Sequence, residues 1–200
     1  MSALIGGNVA TFDKDQFIED CLAAVRGDSA YREVALLVER AVSDPTALEA
    51  VIPDRTVSPM MTVWHRSDEL TALHIVWPPD VDLYAHDHNM WAVIGIYGGR
   101  EDNTFYRRRD DGRIEVNTGR TLLQKDVISL GSEVVHSVAN PTREWTAALH
   151  VYGGEFFTTP RTMWRTESLE PVPLDVEFIR QNLERAAAAA RIADTPGEQP

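Results

Sequence analysis

The spacing of apolar side chains changes twice along the chain. Between residues 13 and 26, Phe17, Ile18, Cys21, Leu22 and Val25 recur at three- and four-residue intervals, the repeat of one buried helix face. Asp13 or Thr11 is placed to cap its start and Gly27 to end it. Residues 31–42 repeat the pattern through Val34, Leu37, Val38 and Val42. Ser43-Asp44-Pro45 predicts a third, short helix, because proline in a first turn forfeits no intrahelical hydrogen bond. The first 50 residues therefore read as a helical lead-in.

At Ile52-Pro53 the period becomes that of strands. Short β-rich runs cover residues 61–65, 70–77, 91–97, 103–107, 113–116, 127–130, 137–139 and 146–152. Pro78-Pro79, Gly98-Gly99, Asp111-Gly112 and Asn140-Pro141 break them. Such runs, with no helix-length pattern between them, predict an antiparallel sandwich or barrel over residues 51–165. Asp111-Gly112 marks a hairpin apex. Arg107-Arg108-Arg109 beside it is most simply a solvated turn flank, a local anion site being the other reading. Beyond Pro173, Val176, Ile179, Leu183 and the alanines at 186–190 predict a last helix. Residues 195–200 are expected to fray. With no repeat and no low-complexity linker, residues 1–200 read as one domain: lead-in 1–50, barrel 51–165, helix and tail 166–200.

Composition narrows the class. A chain of 200 residues, 44% hydrophobic and 25% charged, sustains one packed core. Its formal net charge of −12 repels phosphate backbones and anionic membrane surfaces, so neither nucleic acid nor membrane is expected as a partner. Cys21, the single cysteine, forms no intramolecular disulfide and no zinc-thiolate site alone. Residues 1–10 lack a basic start followed by an apolar run, so no signal peptide is expected. No stretch approaches the ~20 apolar residues of a membrane span. A soluble protein of the reducing cytoplasm is the expectation.

The six histidines carry the candidate chemistry. His86-Asp87-His88 precedes the apolar run 91–97, and strand residues two apart project from one face. His136 lies between two later β-rich runs. Three neutral imidazoles converging in a barrel make a facial tripod with coordination positions open to small molecules. A His-X-His pair alone is more often a surface or hydrogen-bonded feature. The context raises the odds here: an apolar strand and Gly98-Gly99 follow the pair, and Ser137-Val138-Ala139-Asn140 and another strand follow His136.

His86-X-His88 with Gly98-Gly99 resembles the first cupin motif, and His136 with Asn140 resembles the second. Residues 126–152, DVISLGSEVVHSVANPTREWTAALHVY, are similar to the thiol dioxygenases of the cysteine dioxygenase type. The resemblance spans roughly residues 60–157. It implies a mainly β, cupin-type double-stranded β-helix (jelly-roll) barrel with N-terminal helices and a C-terminal helix. It also implies that His86, His88 and His136 hold Fe2+, although imidazole suits Zn, Ni or Mn as well. The usual cupin glutamate falls at Ala92 or Val93, in keeping with an all-histidine set. His150 and Tyr152 match the family's Ser-X-His-X-Tyr segment, with Ala148 in place of the serine. By resemblance, His150 holds the Tyr152 phenol and Tyr152 donates to oxygen or substrate. Val93 stands where some members carry a cysteine crosslinked to that tyrosine.

Arg66, in Trp64-His65-Arg66, is the candidate for the family's carboxylate clamp, an exposed strand-end arginine being the other reading. His65 and His74 read as ordinary strand histidines, and Trp77, Trp91 and Tyr84 as pocket walls or core. The implied enzyme oxidises a small thiol, of the cysteine or 3-mercaptopropionate type, to a sulfinate with O2, and a homodimer is an option. The alternative is a three-His cupin metalloenzyme or ligand-binding protein with another metal and a non-thiol substrate. A third reading is a metal-free barrel within an assembly.

Overall fold

A computed structural model describes residues 11–52, 54, 56 and 60–193. The expectations for residues 1–10 and 195–200 lie outside these. Aspartates begin three of the four helices, each accepting a backbone N–H of the first turn. Asp13 takes Gln16 N at 3.0 Å to start α1 (Lys14–Val25). The helix α2 (Ala30–Val42) follows. Asp44 takes Ala47 N at 3.2 Å to start α3 (Pro45–Glu49).

Among the described residues eleven strands come next: β1 (Met61–Arg66), β2 (Thr71–Trp77), β3 (Val81–Asp87), β4 (Ala92–Gly98), β5 (Arg100–Arg108), β6 (Ile114–Leu123), β7 (Val127–Leu130), β8 (Val135–Asn140), β9 (Thr146–Tyr152), β10 (Thr162–Trp164) and β11 (Pro171–Pro173). Asp175 then takes Phe178 N at 2.9 Å to start α4 (Val176–Ala193). None of the helices described is long and apolar enough to cross a membrane.

The strands pair antiparallel into two sheets, β1-β2-β9-β4-β7 and β11-β10-β3-β8-β5-β6. Their inner faces meet in a double-stranded β-helix (jelly-roll) barrel. Leu73, Ile75, Ile94 and Ile96 of the first sheet pack there against Leu83, Leu122 and Val138 of the second. The outer face of the first sheet carries Ala72, Val93, Tyr97, Leu149 and Val151, which the N-terminal helices cover with Phe17, Ile18, Val34 and Val38. Both faces of β2, β4 and β9 are thus withdrawn from water, and every residue of these strands is buried. That double covering is why they read as apolar runs rather than alternating ones.

Four strands depart most from the sequence reading. β3 is a strand in its own right, which no run was assigned to. β10 and β11 have three residues each, too few to show a period. β6 is longer than its apolar segment, because it is the sheet edge and exposes all but Ile114 and Leu122. The β5–β6 hairpin turns at Asp111-Gly112, where Gly112 has φ +82° and Arg109 N donates to Arg113 O at 2.8 Å.

Gly95 decides how closely the helical layer approaches. A Cβ there would lie 2.5 Å from Val38 Cγ1 and 2.9 Å from Val42 Cγ1 of α2. Gly95→Ala should destabilise the protein by about 1–3 kcal/mol through overpacking. The urea midpoint should fall at unchanged m-value, and an unaltered midpoint would mean that α2 does not rest on β4.

Candidate metal centre

A bulge in β3 brings the first histidine inside. Val81 and Leu83 belong to the barrel core, so strict alternation would send residues 85 and 87 inward and His86 outward. The pairing with β8 slips between Leu83 and His86. Ala85 joins an outer cluster with Ile114, Val135 and Trp164, and His86 comes to lie opposite His136. One extra residue reverses the phase of everything beyond it. Asp87, now turned outward, accepts from Arg108 Nη2 and from Thr162 N, each at 2.8 Å. His88, just past the strand end, returns to the interior.

The three rings converge. Centroids lie 5.1 Å apart for His86–His88, 4.7 Å for His86–His136 and 5.0 Å for His88–His136. One nitrogen from each falls within 4.8 Å of the others, and His88 Nε2 is 3.3 Å from His136 Nε2. His86 Nδ1 faces the Tyr84 carbonyl at 2.9 Å. A carbonyl only accepts, so the ring proton sits on Nδ1 and Nε2 keeps its lone pair. His136 Nδ1 meets Asn103 Oδ1 at 2.8 Å, with the same consequence. Burial lowers all three pKa values, and for His88 the neighbouring imidazoles and Arg161 push the same way. Two neutral rings, those of His86 and His136, thus direct lone pairs at the space they share with His88 Nε2, an arrangement that fits a divalent cation.

The surroundings are aromatic. The Tyr152 ring lies 5.1 Å from His88 and 4.3 Å from Phe156, centroid to centroid. His150 Nδ1 is 3.0 Å from Tyr152 Oη. Burial, the leading cause, lowers the His150 pKa to about 3 and raises that of Tyr152. His150 Nε2 is buried with no hydrogen-bond partner among the described residues. Ala148, two positions earlier on the same face of β9, offers no hydroxyl to it. Val93 packs among the helix-covered residues; Ala92 faces inward with Ile94 and Ile96, and it is the one of the three that pairs with Tyr152. The strand's phase thus moves the residue beside the tyrosine by one position from the sequence reading.

Arg66 forms an ion pair with Glu155, Nε to Oε1 at 2.6 Å, and its guanidinium lies 4.8 Å from the Phe157 ring centroid. The cation whose charge bears on His86 and His88 is Arg161. Its guanidinium is half-buried, stacks 3.9 Å over Phe156 and forms no ion pair among the described residues. Arg161 lies in a loop, outside every periodic pattern, so nothing in the sequence pointed to it. Sequence reasoning also missed Asn103 and Glu101, whose inward alternation on β5 was the available signal.

The remaining candidates sit elsewhere. His74 is on the outer face, bonded to Tyr97 Oη at 2.7 Å and stacked on Trp64. His65 Nε2 meets Ser67 Oγ at 3.1 Å. Trp77 is in the barrel core, edge-on to His150. Trp91 packs with the helical layer, and the Tyr84 ring lies tilted against Phe178 of α4, centroids 5.3 Å apart. Asn140 ties loops together, donating to the Pro78 and Glu144 carbonyls. Arg107 and Arg109 pair with acids of their own hairpin, Glu115 and Asp111. Arg108 instead pins Asp87 between the two histidines. An open groove of about 420 Å3 on the outside of the second sheet, lined partly by Asp82, Tyr106 and Trp164, includes none of the clustered imidazoles.

No family model matches the chain. Among solved structures, the DMSP lyase DddQ from Ruegeria pomeroyi DSS-3 is 20% identical over 48% of this chain and 43% of that one, with a TM-score of 0.38. This chain thus spans under half of the lyase. A Klebsiella pneumoniae protein with a double-stranded β-helix domain is 14% identical over 59% of this chain and 93% of that one, TM-score 0.41. An RmlC-like cupin from Methanocaldococcus jannaschii is 14% identical over 50% and 84%, TM-score 0.40. These neighbours are cupin and double-stranded β-helix proteins, and at such identities the likeness concerns the fold alone.

Removing one imidazole should abolish the centre. His136→Ala should lose the single-site heat of Zn2+ binding in calorimetry, and a retained site would place the cation elsewhere. The buried rings also set an acid limit. His74, lowered to about 4 by burial, and His150, lowered to about 3, are neutral when folded but titrate near 6.5 when unfolded. The unfolded chain therefore binds more protons below pH 6.5. Stability should be full above that pH and fall by up to ~1.4 kcal/mol per pH unit per ring down to pH 3–4. Urea midpoints measured with chelator from pH 7.5 to 4 would reveal the loss, and a flat profile would mean that these rings are solvated.

Proposed function

We propose that this chain is a mononuclear metal-dependent dioxygenase of the thiol dioxygenase type, converting a small carboxylated thiol to its sulfinate. The observation that carries this reading is the all-histidine tripod with, beside it, a tyrosine hydroxyl and an arginine that has no ion-pair partner among the described residues. His86, His88 and His136 would hold a ferrous ion, which would supply the redox chemistry between a thiolate and dioxygen. Three neutral ligands leave the ion's charge undiminished, which favours an anionic sulfur. The balance is RS− + O2 → RSO2−, with both oxygens entering the sulfinate and sulfur giving up the electrons that dioxygen gains.

The protein's own groups position the reactants. Arg161 grips the substrate carboxylate, its planar fork matching two oxygens and its cost of burial offset by that anion. Tyr152 donates its hydroxyl hydrogen toward the reacting oxygens, and its raised pKa keeps it a donor throughout the neutral range. His150 holds the phenol by the 3.0 Å contact. Phe156, lying under the Arg161 guanidinium and tilted against the Tyr152 ring, excludes water from the space between them.

Anaerobic loading with Fe2+ followed by oxygen uptake tests the reading. Cysteine or 3-mercaptopropionate should be consumed well ahead of cysteamine, which lacks the carboxylate. Arg161→Met should raise KM for the carboxylated thiol by ~10–100-fold, the worth of one charge-assisted contact, with little change for cysteamine. Tyr152→Phe should lower kcat by ~100-fold or more at full iron occupancy. Uptake with none of the three thiols at that occupancy would transfer the tripod to another metal and a non-thiol substrate.

A further inference from the structure

His136 presents its lone pair through a line of buried polar side chains that crosses the barrel interior. Glu101 and Asn103 stand two apart on the inward phase of β5, and Trp77 faces them from β2 of the other sheet. Trp77 Nε1 donates to Glu101 Oε2 at 2.8 Å. Asn103 Nδ2 donates to Glu101 Oε1 at 2.9 Å. Asn103 Oδ1 then faces His136 Nδ1 at 2.8 Å. Glu101 is 0% exposed and forms no ion pair among the described residues. A carboxylate buried without a cation is destabilising unless hydrogen bonds compensate it, and an apolar side chain would fill the space at lower cost.

The direction of each bond in this line is forced by the carboxylate. An asparagine amide taken alone is ambiguous, since half a turn of its end exchanges oxygen and nitrogen. Burial pushes the Glu101 pKa up, while the hydrogen bonds from Asn103 and Trp77 favour its charged form; as a carboxylate it only accepts, so it keeps Asn103 Nδ2 on its own side and leaves Oδ1 for the imidazole. Oδ1 also only accepts, so the single proton of neutral His136 rests on Nδ1. With the amide reversed, Nδ2 would confront Nδ1, and the ring proton would move to Nε2. His136 Nε2, which lies 3.3 Å from His88 Nε2, would then have no lone pair to offer a cation.

We propose that Glu101 is a positioning residue of the metal centre, fixing the tautomer of His136 through the Asn103 amide. This rests on the three-histidine centre proposed above, but not on a thiol being the substrate. Outer partners of metal-bound histidines typically change affinity by 10–100-fold when altered.

Two variants and one spectrum test it. Glu101→Gln preserves shape but offers one acceptor and one donor group, so it cannot accept from Trp77 and Asn103 together. Its Zn2+ affinity in calorimetry should fall by ~10–100-fold, and 15N NMR of the metal-free protein should show the His136 proton shifting toward Nε2. In the double variant Glu101→Gln/Asn103→Asp every donor has an acceptor again. The new glutamine oxygen takes Trp77, its amide donates to the new aspartate, and the aspartate accepts from His136 Nδ1. Most of the lost affinity should return, which a space-filling role for Glu101 would not produce. Unchanged affinity in the single variant, or a folded double variant no better than the single, overturns the proposal. Should the single variant not fold, a folded double variant with its proton on Nε2 overturns it as well. A His136 proton on Nε2 in the unaltered protein does so without any variant. Neither readout involves thiol turnover, so failure here and failure of the dioxygenase reading are separate results.

Discussion

Withdrawing His86, His88 and His136 from water disfavours their charged forms, and much of the interior is organised around keeping three such rings neutral in one place. A neutral imidazole has one proton and one lone pair, so a useful site requires that each proton be directed away from the common centre. For His86 the backbone does this through the Tyr84 carbonyl, at no expense in side chains. For His136 it takes Asn103, and Asn103 in turn has its orientation settled by Glu101. The two sheets supply the dry surroundings in which these hydrogen bonds dominate, their inner faces packed with isoleucines and leucines.

Charge is distributed in the opposite sense to the chain as a whole. The protein carries −12 overall, yet Asp87 and Glu155 are each engaged by an arginine, while the buried Glu101 is held by Trp77 and Asn103. Asp87 is tied to Arg108 and Thr162 N, and Glu155 is held by Arg66 and Thr158. What faces the rings is Arg161, without an ion-pair partner among the described residues and stacked on Phe156. A local field of this kind favours a small anion at the site, whatever the net charge repels at longer range.

Legibility followed how local each cause is. The helical lead-in was readable because helix periodicity and aspartate caps are contained within a few residues, as in α1 and α3. β7 and β9 were readable from start to finish because turn signals bound them. β3 escaped notice because its bulge breaks alternation between Leu83 and His86. The same bulge makes His86 available to the site. The tripod itself could be proposed from residue type and spacing, helped by the resemblance of its flanking segments to cupin motifs. Arg161 could not, since a loop arginine carries no periodic mark. Arg66 was the candidate that the resemblance offered, and its partner Glu155 lies 89 positions away.

By itself the sequence determined the helix and strand periods, the turn positions, an all-histidine donor set and the absence of a glutamate ligand at residues 92 and 93. Those properties depend on neighbouring residues and on side-chain chemistry alone. Tertiary structure decided which way His86 points, which nitrogen of His136 holds the proton, and which arginine stands beside the centre. Each of these depends on strand register or on a hydrogen bond between residues far apart in the chain. Such relations exist only once β3, β5 and β8 lie side by side.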